Sequence, residues 1–279
     1  MVAAIAEPHG VISRYDLSRA RRRQFDDMDL YTYVLRWYEY ARRYDAERRE
    51  ALKRETQHML QRHPHNSLVW TVRGLLALDD EALNFDVEQD GSGLDDALTY
   101  LGKAIQLDPS NAKAYQYLIM TRFMLDDVDG AFEAGRQAMR LNPNDSDLIG
   151  EYGTFRCFGG DWERGLEFVN KAIALNPRHS PTLFGPMCLD HYRRGEDEAA
   201  LKFAERYDLP GLSWTHALRA MTLGQLGRTE AAAAAVADLV NMSPGFPALA
   251  RQSFRRFLKE EPLVERCLEG LQKAGLDLP

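Results

Sequence analysis

The sequence predicts an all-α fold in which pairs of antiparallel helices stack into a solenoid. Three observations support this. Pro109, Pro143 and Pro177 recur at an interval of 34 residues, which is typical of helical repeat proteins. Between them, apolar residues stand three and four positions apart, as in "AFEAGRQAMRL" (131–141), which indicates amphipathic helices. A second break interrupts each unit, as in "GGDWE" (159–163), so each unit contains two helices.

Each repeat is predicted to end at a Leu-Asx-Pro step, as in "LNPND" (141–145) and "LNPRH" (175–179). The residue before a proline is disfavoured in the α region, so the helix ends there. The polar residue that follows, such as Asp145, is a natural N-cap for the next helix. Small residues such as Ala138 recur at one position of the second helix, where we expect two helix backbones to approach closely.

A 34-residue helix–turn–helix unit with a large apolar residue and a glycine in its first helix, small residues in its second and a closing proline resembles the tetratricopeptide repeat (TPR). The match is strong over 97–177, good over 65–80 and looser over 178–244, where Arg206 replaces a small residue. The resemblance implies a TPR-type solenoid, a right-handed superhelix of about six helical pairs over residues 28–258.

The segments outside the regular repeats are interpreted as additions to this solenoid. Residues 1–27 are predicted to form a lead-in helix, and 29–64 a degenerate first unit whose aromatic residues cap the stack. An insertion near 81–92 accounts for an excess of 11 residues in the proline spacing. Residues 259–279 are predicted to form one amphipathic capping helix, because the end of a solenoid would otherwise expose apolar surface.

A narrower resemblance involves the lead-in "VAAIAEPHGVISR" (2–14), the enlarged early repeat and the closing "PLVERCLEGLQKAGLDLP" (262–279). Together they resemble the C-terminal half of bacterial regulators in which such repeats follow a class III nucleotide cyclase or a winged-helix domain. In that setting the repeats sense or dock a partner. The sequence contains no such effector domain, so the resemblance implies neither cyclase activity nor DNA binding for these residues.

Composition argues against several classes of function. The net charge of −7 is mild and acidic, whereas nucleic-acid-binding domains are strongly basic. The three cysteines, Cys157, Cys188 and Cys267, are widely spaced, which argues against a disulfide framework or a structural zinc site. No apolar run approaches 18 residues and the N-terminus lacks signal-peptide character. We therefore expect a cytoplasmic protein that binds neither nucleic acid nor membrane.

Two patterns imitate functional motifs. "DVEQDGSGLDDA" (86–97) begins like an EF-hand calcium loop, but Ala97 stands where a bidentate glutamate is required. The arginines of "RARRRQF" (19–25) are followed by interspersed acids, which is typical of a solvated helix. Nucleophile elbows, phosphate-binding loops and metalloprotease spacings are absent. We therefore expect no cofactor, no metal site, no catalytic residues and no enzymatic activity.

Partner binding is expected in the concave groove, which the first helix of each pair lines in stacked repeats of this kind. Ten candidate groove residues follow from their spacing after each proline: Gln116, Met120, Phe123, Thr154, Phe158, Phe184, His191, Tyr192, Trp214 and Met221. This largely apolar, aromatic set suits an extended or helical apolar segment of a protein or peptide. The alternative is that a tight superhelix buries these side chains against neighbouring helices.

The sequence therefore predicts a non-enzymatic scaffold that binds a protein or peptide, as an adaptor or as the sensory module of a bacterial regulator. Two alternatives stay open: a regulatory domain that binds a small molecule in the groove, and a homodimerisation module. A peptide groove predicts that Phe158→Ala or Tyr192→Ala abolishes partner capture and leaves thermal stability nearly intact. A small-molecule role predicts a closed pocket rather than an open channel.

Overall fold

The computed structural model describes residues 30–82 and 91–279, and these form fourteen α-helices, one short 3₁₀ turn and no strand. The helices are α1 (Leu30–Ala41), α2 (Ala46–Arg62), α3 (Ser67–Ala82), α4 (Ser92–Leu107), α5 (Ala112–Met124), α6 (Val128–Leu141), α7 (Ser146–Phe158), α8 (Trp162–Leu175), α9 (Phe184–Arg193), α10 (Asp197–Arg206), α11 (Ser213–Gln225), α12 (Thr229–Met242), α13 (Phe246–Phe257) and α14 (Glu261–Lys273). The predicted lead-in helix 1–27 lies outside the described residues, as do positions 83–90 of the insertion. The predicted all-α TPR solenoid is confirmed.

Helix boundaries fall where the Leu-Asx-Pro steps predict them. Helices α4, α6 and α8 each end at the leucine of that step. Past the proline, the Asn111 side chain accepts a hydrogen bond from the Ala114 backbone N–H at 3.2 Å, and Asp145 accepts one from Leu148 at 3.0 Å. These bonds satisfy backbone donors that the first turn of a helix leaves without partners.

The two helices of a pair pack closely because glycine or alanine stands where they cross. In the pair α7–α8, a Cβ atom on Gly153 would lie only 2.7 Å from the Gly165 carbonyl oxygen. Ala131 takes the place of Gly165 in the preceding pair, and Ala131, Ala138 and Ala172 are fully buried. Any side chain at Gly153, or one larger than a methyl group at these alanines, would therefore push the two helices apart.

The first helices of the central pairs, α3, α5, α7, α9 and α11, form the inner layer of the solenoid and are called the inner helices below. Most of the apolar core is one continuous cluster that runs from Leu78 in α3 to Leu276 at the C-terminus. A second cluster joins Tyr33, Trp37 and Tyr40 of α1 to α2 and α3. Tyr31 of α1 stays 56% exposed, so only part of the predicted aromatic cap is buried.

Both ends of the described chain fold back onto the inner helices. At the N-terminal end, the Trp37 ring of α1 packs edge-on against Tyr117 of α5, with 6.2 Å between ring centroids. The turn after α1 then reaches the sixth helical pair, since a Cβ on Gly211 would lie 2.8 Å from the Arg43 carbonyl oxygen. The first and sixth helical pairs are therefore in contact.

At the C-terminal end, the segment from α13 to α14 crosses the inner helices. The Arg256 guanidinium donates to the Glu81 carbonyl oxygen at 3.0 Å, and the Lys259 N–H donates to the Phe158 carbonyl oxygen at 3.0 Å. Helix α14 packs on α11, where a Cβ on Gly270 would lie 2.6 Å from the Met221 carbonyl oxygen. The C-terminal segment thus covers part of the inner layer and does more than close the last repeat.

None of the helices in the described part of the chain combines the length and the apolar character needed to cross a bilayer.

Candidate functional site

A cavity of about 220 Å³ remains between the two folded-back ends and is called the central cavity below. This volume is at least ten times the ~15 Å³ needed to hold one water molecule. The inner helices line it, together with α1 and the last residue of α13. Its aromatic members are Trp37, Tyr38, Tyr44, Tyr117, Phe155, Phe158, Tyr207, Trp214 and Phe257.

The aromatic wall is held in place by ring contacts with neighbouring elements. Trp214 packs edge-on against Phe257, with centroids 5.5 Å apart and an interplanar angle of 88°. Phe155 and Phe158 make a similar contact at 6.0 Å. Such edge-to-face pairs are favourable because the positive ring edge meets the negative ring face. These contacts within the protein fix the positions of the wall residues.

A chain of polar contacts crosses one side of the central cavity. The Lys113 ammonium lies 3.1 Å from the Asp145 carboxylate and donates to the Gln116 side-chain oxygen at 2.8 Å. The Gln116 amide nitrogen in turn donates to Glu151 at 2.6 Å. This arrangement fixes the orientation of the Gln116 amide. Lys113 contacts Asp145 directly, and its positive charge also acts on Glu151.

Two carboxyl groups in the cavity wall have strongly raised pKa values. Burial raises the pKa of Glu151 to about 7, although the hydrogen bond from Gln116 opposes this shift. Burial likewise raises the pKa of Asp79 to about 7, against the hydrogen bond that the Tyr40 hydroxyl donates at 2.7 Å. Because an enclosed site disfavours the charged form, each group is only partly ionised at neutral pH.

Two tyrosines lie close to both carboxyl groups. Burial is the main cause that holds the pKa values of Tyr44 and Tyr117 well above their usual range, and the charges of Asp79 and Glu151 add to it for both. Both hydroxyls therefore stay protonated. Tyr44 also adopts φ +54°, a left-handed conformation that is costly for a bulky residue and occurs mostly at functional or tightly constrained positions.

Five of the ten candidate groove residues line the central cavity: Gln116, Met120, Thr154, Phe158 and Trp214. Four of them come from α5 and α7, whose repeats keep the regular 34-residue interval. Gln116 is 5% exposed because it is tied into the polar chain, whereas the other four remain partly exposed. The structure therefore brings these five side chains together around one space.

Three candidates lie in the core under the C-terminal segment: Phe123, Tyr192 and Met221, each 0% exposed. The Lys259 ammonium lies 4.8 Å from the centre of the Phe123 ring. The Tyr192 hydroxyl donates to the Arg266 carbonyl oxygen at 2.7 Å, and Met221 packs under Gly270. The prediction that these three side chains lie in an accessible groove is wrong. They occupy inward positions, but α14 and the segment before it cover them.

The remaining two candidates, Phe184 and His191, pack against α10 and do not line the central cavity. The His191 ring stacks on Phe203 at 5.3 Å with an interplanar angle of 10° and contacts Glu196. The Arg206 guanidinium lies 3.9 Å from the Phe184 ring centre. The 3₁₀ turn Pro181–Leu183 precedes α9, and in this helix Gly185 and Leu189 line the central cavity in place of Phe184 and His191.

Sequence reasoning missed several cavity residues. Glu151, Asp79 and Lys113 stand at positions that the proline spacing did not select, and an isolated acid or lysine on a helix carries no signal of burial. Trp37 and Tyr44 belong to the degenerate first unit, whose aromatic character the sequence does show. Their place in the cavity follows from the contact between the first and sixth pairs, which no local pattern encodes.

The cysteines and the potential metal ligands of the described residues do not form a recognisable reactive site. Burial raises the pKa of Cys157 and of Cys188 to about 12, and that of Cys267 is raised as well, so the three free thiols are poor nucleophiles. Within 30–82 and 91–279 no group of three potential metal ligands lies together. Asp86, Glu88 and Asp90 of the EF-hand-like pattern lie outside these ranges.

Comparison with known proteins defines the class of fold. No model of a known protein family matches the sequence. The chain has the fold of TPR proteins: it superposes on a chain of the Cut9–Hcn1 hetero-tetramer of the APC/C with a TM-score of 0.67 and 15% identity. That alignment covers 94% of this chain and 50% of the other, so the chain spans half the length of that structure.

Two further proteins are similar. PilW, a type IV pilus biogenesis factor, superposes with a TM-score of 0.51 and 15% identity, covering 82% of this chain and 93% of PilW. The photosystem I assembly protein Ycf3 of Rippkaea orientalis is 29% identical over 126 residues, which cover 41% of this chain and 73% of Ycf3. The structural similarities define the fold.

Proposed function

We propose that this chain is a non-enzymatic scaffold that binds a protein or peptide segment in the central cavity. The observation that carries the proposal is the aromatic wall between the inner helices, which includes Met120, Phe158 and Trp214. Aromatic side chains and methionine provide adaptable apolar contact for a peptide that lies against helices. The assembly role named for Ycf3 and the multi-subunit setting of Cut9 support a scaffold.

Within this role, we propose an adaptor or the sensory module of a bacterial regulator, working in the cytoplasm. The resemblance of the lead-in and closing segments to the repeat half of cyclase and winged-helix regulators supports the regulatory role. Three free, buried cysteines fit a reducing compartment. Joint purification of the chain with products of neighbouring genes tests this proposal, and a partner that carries no regulatory domain would contradict it.

The direct test compares Phe158→Ala with Phe132→Ala in capture of partners from a lysate of the source organism. Both side chains are half-buried phenylalanines, but Phe158 lines the central cavity and Phe132 lies in α6 against Tyr152. We expect Phe158→Ala to lose the captured partner and Phe132→Ala to retain it. Circular dichroism checks that both variants stay folded. Equal capture by the wild type, Phe158→Ala and Phe132→Ala would contradict the proposal that the partner binds in the central cavity.

Tyr192→Ala is unsuitable as a second binding variant. Its side chain is 0% exposed and its hydroxyl bonds to α14. Removal of a fully buried aromatic residue costs about 3–5 kcal/mol, so we expect Tyr192→Ala to unfold at a much lower temperature than Phe158→Ala. Thermal melts of the two variants measure the difference. Equal melting temperatures would contradict the assignment of Tyr192 to the core.

A second candidate function is the regulatory binding of a small molecule. Tyr44 and Leu212, the residues next to the contact between Arg43 and Gly211, line the central cavity, so this contact bounds the cavity on one side. A bounded cavity favours a small ligand over an open channel. A homodimerisation role stays a third candidate, and light scattering at several protein concentrations tests it through the measured mass.

A further inference from the structure

The wall of the central cavity carries more acidic than basic side chains. They are Asp79, Lys113, Asp147 and Glu151. Lys113 is engaged with Asp145 at 3.1 Å. For Glu151 and Asp79, the hydrogen bonds come from the neutral donors Gln116 and Tyr40. Neither carboxyl group lies within 4 Å of a lysine, arginine or histidine nitrogen among the residues that the structure describes.

Both carboxyl groups line the central cavity, as do Tyr44 and Tyr117. The charges of both carboxyl groups contribute to the raised pKa values of these two tyrosines. A buried carboxylate without a cation is costly, and a positive charge placed between two of them would remove much of that cost. Among the described residues, Lys113 acts on Glu151, and Arg49 and Lys53 act on Asp79, only from beyond 4 Å. A cationic ligand would therefore be the first positive charge in direct contact with these carboxyl groups.

The surrounding rings would bind the same kind of group. Aromatic faces attract ammonium and guanidinium ions, most strongly where water is excluded. Trp37, which is 1% exposed, lines the cavity, and its indole N–H interacts with the Tyr117 hydroxyl without forming a hydrogen bond of normal geometry. A ligand that carries both a cation and a carbonyl acceptor would satisfy the carboxyl groups and this donor together. A peptide that presents a basic side chain has both.

We propose that the central cavity binds the lysine or arginine side chain of the partner peptide, with its cationic group between Asp79 and Glu151 and its aliphatic stem against the aromatic wall. This inference rests on the proposed function and specifies its ligand. An acidic peptide is repelled by the same carboxylates. A purely apolar peptide leaves them unpaired. The basic side chain is thus the element of recognition.

The test uses four pools of acetylated, amidated heptapeptides with Lys, Arg, norleucine or Glu at the centre and uncharged residues elsewhere. Binding to the full chain is followed by tryptophan fluorescence, since Trp37 and Trp214 line the cavity. A pair of small probes, 4-phenylbutylamine and the neutral 4-phenylbutanol, is measured in the same way. We expect the Lys or Arg pool to bind at least tenfold more tightly than the norleucine pool, and no binding of the Glu pool.

Two variants locate the site. Glu151→Gln keeps the shape of the side chain and a hydrogen-bond acceptor for Gln116, so the fold is retained while the charge is removed. Glu167→Gln removes an exposed charge on α8 outside the cavity and serves as the matched control. We expect Glu151→Gln to weaken binding of the basic pools at least tenfold and to leave the norleucine pool unchanged. Equal binding of Lys and norleucine pools, or equal effects of the two variants, would overturn the proposal.

The same measurements separate this inference from the proposed function. If norleucine peptides bind as tightly as basic ones, the proposed peptide-binding function holds, but recognition of a basic side chain is excluded. If 4-phenylbutylamine binds more tightly than 4-phenylbutanol while no peptide pool binds, the cation site exists but the peptide partner is wrong, and the small-molecule role takes its place. If no probe binds, both proposals fail for this cavity.

Discussion

At the scale of single residues, Glu151 makes the stability of the protein depend on pH. Its pKa is raised from 4.5 to about 7 in the folded state, with Lys113, Asp145, Asp147, Tyr44 and Tyr117 as its charged and titratable neighbours. Between these values the folded state binds more protons than the unfolded state. The resulting stabilisation is fully present below pH 4.5 and is lost as the pH rises through about 7.

We therefore expect Glu151→Gln to gain stability over the wild type as the pH rises. The glutamine lacks the ionisation that costs free energy at high pH, so the difference grows from pH 5 to pH 8 and reaches up to about 3 kcal/mol. Urea denaturation at several pH values measures it. Glu167→Gln, on an exposed face, is the control, and a difference between Glu151→Gln and wild type that does not change with pH would count against the assigned pKa.

Residues of the site were predictable mainly where the repeat is regular. Gln116 and Thr154 follow their prolines at fixed distances in α5 and α7, so spacing alone placed them at the cavity. His191 follows a 3₁₀ turn, and it faces α10 instead. Glu151 could not be predicted, because its raised pKa depends on burial and on residues far away in the sequence.

At the scale of helices, the close pairing of α7 with α8 depends on glycine at the crossing. A Cβ on Gly153 would lie 2.7 Å from the Gly165 carbonyl oxygen and 2.9 Å from the Val169 backbone nitrogen. Neither backbone atom can rotate away as a side chain could. We expect Gly153→Ala to force the helices apart and to destabilise the protein by about 1–3 kcal/mol.

Gly102→Ala provides the matched control for this variant. Gly102 lies inside α4 with no atom within 4 Å of a Cβ placed on it. Because alanine favours the helix over glycine, we expect Gly102→Ala to stabilise by up to about 1 kcal/mol. Chemical denaturation measures the free energy of unfolding, which we expect to fall in Gly153→Ala and to rise in Gly102→Ala. If both variants are destabilised, the close helix crossing is not the cause of the effect of Gly153→Ala.

The helices themselves were predictable from the sequence, but the helices against which they pack were not always predictable. The apolar spacing in 259–279 predicts an amphipathic helix, and α14 forms within it. An apolar stripe indicates that one face is buried and does not indicate what buries it. The loop 258–260 carries α14 onto α11 and α9, so the predicted cap also covers Tyr192 and Met221.

At the scale of the whole molecule, the contact between the first and sixth helical pairs joins distant parts of the chain. The Arg43 and Tyr44 carbonyl oxygens would lie 2.8 and 3.2 Å from a Cβ on Gly211. We expect Gly211→Ala to push the 42–46 turn away and to increase hydrogen exchange there and in 209–212. Gly102→Ala is the control, and unchanged exchange in the 42–46 turn would contradict the contact.

The solenoid was predictable from periodicity, whereas its closure was not. A 34-residue interval specifies which faces of neighbouring pairs pack together, and the fold follows from these local contacts. The approach of Tyr44 to Gly211 joins residues 167 positions apart and depends on the accumulated curvature of six pairs. No pattern in either segment specifies that curvature.

The contact at Gly211 also has a kinetic consequence. A ligand reaches an open groove at a rate that rises in proportion to its concentration. Tyr44 and Leu212, which flank this contact, line the central cavity. If the turn at Arg43 and Tyr44 must separate from Gly211 before a ligand enters, we expect the observed binding rate to level off at high ligand concentration. The plateau equals the frequency of opening, and the same barrier slows the escape of a bound ligand.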